Sequence, residues 1–78
     1  MKVKLRGVRR IPITGEYIRL DGFLKLASVV STGGEAKIII QSGEVLMDGK
    51  PCVERGRKLR VGNVVRFGDN TLLVSQAM

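Results

Sequence analysis

The chain has 78 residues, 14 Lys and Arg against 7 Asp and Glu, a net charge of +7, one cysteine and no histidine. That length gives one domain with a small core. A lone Cys52 excludes an internal disulfide, the missing histidine excludes Ser-His or Cys-His nucleophilic pairs and Cys/His metal sites, and no apolar run approaches the roughly 20 residues of a membrane span. The N-terminus lacks the uninterrupted apolar stretch of a signal peptide, so a cytoplasmic protein is expected.

In chain order, "KVKLR" alternates Val3 and Leu5 with Lys2, Lys4 and Arg6, which predicts a half-buried strand over residues 2–8. Pro12 and Gly15 punctuate the chain, and "EYI" (16–18) is a short extended lead-in. Leu20, Phe23, Leu24, Ala27 and Val30 then fall on one face of a first helix that is expected to end near Val30. Thr32 and Glu35 have the spacing of a capping box, which starts a second helix one or two residues later. Ala36, Ile39 and Ile40 form its apolar face, and Gly43 sits at its C-terminal end. "EVLM", Asp48-Gly49 and "KPCV" read as a hairpin. "ERGRK" is a polar loop, Gly62-Asn63 a turn, "VVRF" a strand, "GDN" a turn and "TLLVS" (71–75) the last strand. Strand, two helices, then several strands make a small α+β domain.

The charge lies in two blocks. Residues 1–10 hold Lys2, Lys4, Arg6, Arg9 and Arg10, and residues 55–66 hold Arg55, Arg57, Lys58, Arg60 and Arg66, with no acid in either. Two basic blocks on one small body fit a polyanion partner or a solubilising surface. Any stacking platform for bases has to come from Tyr17, Phe23 or Phe67. No pair of acids demands a shared site, Cys52 beside Pro51 reads as a small core residue, and no catalysis, metal or cofactor is expected.

Two constellations remain. Gly33, Gly34, Lys37 and Gln41 share the side of the second helix away from its apolar face. Glycines there either leave the first-turn N–H groups open to an anion or permit a tight turn between helices. "RGRK", residues 55–58, either grips phosphate through arginine forks or forms a solvated loop.

The run "RLDGFLKLASVVSTGGEAKIIIQSGEVLMDGKPCVERGRKLRVGNVVRF", residues 19–67, resembles the RNA-binding domain of the ribosomal small-subunit protein S-four type. The specific parts are "RLD", the Ser/Thr-rich turn before "EAK", "SGEVLMDGK" and "LRVGNVV". "FLKLA", the two glycines ahead of "AK" and "GRKL" bring it nearer the small stand-alone bacterial members. The resemblance implies the alpha-L motif: two short helices packed in an L plus a small, mainly antiparallel sheet. It also implies binding of structured RNA on the face formed by the start of the second helix and the segment that follows. Carried over residue by residue, that face comprises Ser31, Thr32, Gly34, Lys37 and Gln41 with Arg55, Arg57 and Lys58, and Lys25 on the first helix. Many members have arginine where the glycines stand, which shifts weight to backbone amides and Lys37. Many have Asp where Asn63 stands, a difference that touches the turn and not the site. Strands 2–8 and 71–75 flank the family-like core in one domain, 1–78.

The reading is a stand-alone, non-catalytic, monomeric binder of structured RNA, ribosomal RNA or tRNA, associated with the ribosome. Few aromatics accord with shape and backbone readout over single-strand stacking. Two rivals stay open: a module docking an acidic partner protein, and a DNA-binding accessory protein.

Overall fold

A computed structural model describes residues 8–77. In chain order the elements are β1 (Arg9–Ile13), β2 (Ile18–Arg19), α1 (Leu20–Leu26), α2 (Gly33–Gln41), β3 (Leu46–Met47), β4 (Lys50–Pro51), β5 (Lys58–Leu59), β6 (Val64–Phe67) and β7 (Asn70–Gln76). Five strands form one sheet in the order β1-β7-β6-β3-β4, antiparallel except for the parallel pair β1–β7. β2 and β5 form a separate antiparallel ribbon. The α+β class expected from the sequence holds, with two short helices and a mainly antiparallel sheet.

The helices and the sheet share one apolar interior. Phe23, Leu20 and Leu24 from α1 and Ala36 and Ile40 from α2 meet Ile13, Val65, Leu72 and Val74 from the sheet, with Leu59 from the ribbon. Burying one such large side chain contributes about 1.5–3 kcal/mol. Cys52 lies in the same core as a free thiol.

Local sequence explains most boundaries. Thr32 Oγ1 accepts the Glu35 N–H at 3.1 Å, while the Glu35 carboxylate reaches back to the Ser31 N–H at 2.6 Å. The box expected at α2 is therefore present, with the acid serving the residue before the cap. Gly43, at φ 85, follows the C-cap Ser42, where a left-handed residue closes a helix. Asp48 and Gly49 have φ of 50 and 88, the pair of positive values that a type I′ hairpin turn requires.

Two expectations change, and one falls on residues that are not described. The predicted strand over 2–8 falls almost wholly outside the described residues; the strand beside β7 is Arg9–Ile13, which buries Ile11 and Ile13 and exposes Arg10 and Pro12. Pro12 does not break it because β1 is an edge strand, where a missing N–H leaves no ladder bond unmade. α1 also ends at Leu26, short of Val30. Ser28 takes a left-handed φ of 61, and the N–H groups of Ser28 and Val29 turn back to the carbonyls of Lys25 and Leu24 at 3.0 Å each. This doubly bonded stop ends the helix without glycine. Six residues, 27–32, therefore join the helices in place of the expected one or two.

Candidate nucleic-acid interface

The α2 start is open. Its cap serves the Glu35 and Ser31 N–H groups, and among the described residues neither the Gly33 nor the Gly34 N–H has a hydrogen-bond partner. The glycines are not needed for fit. A Cβ on Gly33 would meet nothing within 4 Å, and one on Gly34 would meet only Thr32 Oγ1 at 3.8 Å. The tight-turn alternative for these glycines thus lacks a steric basis. Lys37 and Gln41 follow at four-residue intervals and are exposed, as are Ser31, Thr32 and Gly34. The Glu35 carboxylate is held on the Ser31 amide, so an anion reaching this turn has to come in over Gly33, Gly34 and Lys37.

The 54–57 loop is fixed by its main chain. The Leu20 N–H donates to the Arg57 carbonyl at 2.8 Å and the Asp21 N–H donates to the Arg55 carbonyl at 3.0 Å. The opening amides of α1 are thus consumed by the protein's own loop. The loop's side chains point the other way. Arg55, Arg57 and Lys58 are exposed, and Arg57 makes one ion pair, to Glu54 at 3.1 Å. An exposed pair of this kind is worth about 0–1 kcal/mol, weak enough for a phosphate to compete for the guanidinium. Lys25 is exposed in the last turn of α1, where a cation also suits the negative end of the helix dipole.

Apart from Lys25, these residues form two groups, one at the start of α2 and one latched to the start of α1. No hydrogen bond or ion pair among the described residues links the groups.

A sequence model of the S4 domain family matches residues 11–75. The chain belongs to that family. A Bacillus subtilis (strain 168) relative, named "Probable ribosome maturation protein RlbA", is 51% identical over 57 residues, covering 73% of this chain and 80% of the relative. Among solved structures, heat shock protein 15 of Vibrio cholerae, described as trimeric, superposes with a TM-score of 0.68 at 19% identity over 81% of this chain and 67% of the other. The family match takes in most of β1 and of β7, beyond the 19–67 run that carries the resemblance in sequence.

In this S4 domain the ribbon brings Lys58, a candidate from the sequence, together with Tyr17, Arg19 and Arg60, which the sequence reading left out of its candidate face. Ile18 pairs with Leu59 and Arg19 with Lys58, and one step further the register sets Tyr17 opposite Arg60. Ile18 and Leu59 turn to the core, so Tyr17, Arg19, Lys58 and Arg60 share the outer face. Lys58 Nζ stands 4.8 Å from the Tyr17 ring centre and Arg60 Cζ 5.9 Å from it. Arg19 is paired with Asp21 at 3.2 Å. The signal was present in the short alternations Y-I-R and K-L-R, but nothing in either reveals its partner.

Asn63 holds this edge. Its Oδ1 accepts the Arg60 N–H at 2.7 Å, and its Nδ2 donates to the Asp48 carboxylate at 2.8 Å. The other Asp48 oxygen accepts the Val64 N–H at 2.9 Å. An aspartate at 63 would lose that donor and face a like charge, which accounts for the amide here.

Proposed function

We propose that this S4 domain binds structured RNA without catalysis, reading backbone and shape through the α2 start and the 54–58 segment. The observation that carries this reading is the latch on α1. Two backbone hydrogen bonds fix the loop while its arginines stay exposed. A loop already fixed by its main chain gives up little backbone freedom on meeting phosphate, so only its side chains are left to order. Family membership supports RNA as the polyanion. The name of the Bacillus relative favours ribosomal RNA over tRNA, with the ribosome or a precursor as the setting.

The test compares an A-form RNA hairpin with a B-form DNA hairpin of equal length and matched sequence. The reading expects tighter binding to RNA at every salt concentration. Equal affinity would reassign the domain to generic polyanion binding, and retention of an acidic protein after nuclease treatment, with no RNA affinity, would assign it to protein docking.

A further inference from the structure

Of the three aromatic residues, Phe23 is buried and Phe67 packs against the core, whereas Tyr17 is 46% exposed. Two cations stand over its ring, and among the described residues neither Lys58 nor Arg60 pairs with a carboxylate. The platform beneath is fixed. The β2–β5 ladder sets the register, the Arg57 carbonyl is latched to Leu20, and Asn63 holds Arg60 at both its N–H and, through the Asn63 N–H at 3.0 Å, its carbonyl.

We infer that Tyr17, Lys58 and Arg60 form a single-nucleotide site that takes one unpaired RNA base and its phosphate, a site that rests on the RNA-binding reading above. A half-exposed ring with two unneutralised, exposed cations over it offers a flat base a face and its phosphate two partners, once the cations swing aside. An acidic protein segment would use the cations and leave the ring idle. A fully paired duplex would do the same, because its bases stay stacked inside the helix. An unpaired nucleotide in a bulge or loop uses all three groups. As the base settles on the ring, the Lys58 ammonium and the Arg60 guanidinium move from over the ring to phosphate oxygens, trading exposed cation–π contacts for charge-assisted ones. With one exposed ring, the site holds one base, in keeping with a protein that otherwise reads backbone and shape.

Tyr17 is the single tyrosine and the chain has no tryptophan, so intrinsic emission reports on this ring alone. Two RNA hairpins with the same stem serve as probes, one fully paired and one carrying three unpaired uridines. The bulged hairpin is expected to bind about 5- to 150-fold tighter, the range for stacking one base, and to quench the emission. Tyr17→Leu should erase the preference and Tyr17→Phe should keep it. Equal affinity of the wild type for the two hairpins, or a preference that survives in Tyr17→Leu, overturns the nucleotide site and leaves RNA binding standing. Binding of neither hairpin overturns both readings.

Discussion

The two helices begin in opposite ways. At α1 the first N–H groups of Leu20 and Asp21 are taken by the carbonyls of Arg57 and Arg55, and Asp21 adds its own carboxylate to the Gly22 N–H at 2.8 Å. At α2 the N–H groups of Gly33 and Gly34 have no partner among the described residues. Every helix presents such donors, so a helix start is not by itself a binding site. At α1 the donors position a loop, whose cations face outward. At α2 the donors themselves face outward, beside Lys37. In the proposed interface the same backbone chemistry is used once to build the surface and once to be the surface.

The largest expected effect separates the two groups by charge. With Lys37, Arg55, Arg57 and Lys58 each neutralising one phosphate, the log–log salt slope should be about −3 to −4 at roughly 0.7–0.9 per contact. Arg55→Ala with Arg57→Ala should flatten it by about 1.5–2 and weaken RNA binding about ten- to hundredfold, against about half that flattening for Lys37→Ala. The latch uses main-chain carbonyls, so the melting temperature should hold. Salt titrations of the three proteins check this, and an unchanged slope in the double variant would remove the loop from the interface.

A smaller effect tests the open start. Gly34→Ala should leave the domain as stable or raise its stability by up to about 1 kcal/mol, because the added methyl meets only ordinary contact. RNA affinity should nevertheless fall several-fold, since the methyl group stands over the amides. Combining it with Lys37→Ala should cost less than the sum of the two, as neighbours on one ligand are not additive. Normal RNA affinity in Gly34→Ala would leave Lys37 and the loop as the whole interface.

The smallest effect concerns the tether on Arg57. Glu54→Gln frees the guanidinium from its 3.1 Å partner, and RNA affinity should rise by about two- to threefold, within the worth of an exposed pair. The same change should do nothing in the Arg57→Ala background. A gain that persists there would mean that Glu54 repels RNA directly.

The sequence by itself determined the parts that act within four residues of one another. Thr32 with Glu35 starts α2, Gly43 ends it, and Asp48-Gly49 turns the hairpin, each through bonds or backbone angles owned by adjacent residues. It also placed the charge in two blocks, because composition needs no fold. Tertiary structure decided the rest. Which helix start stays open depends on a loop far along the chain returning to Leu20 and Asp21, and no periodicity records that return. The ribbon that sets Tyr17 between Lys58 and Arg60 joins two strands of two residues each, too short to announce a partner. Pro12 read as a break because its own chemistry forbids a ladder donor; only its place at the sheet edge, beside β7, made that donor unnecessary.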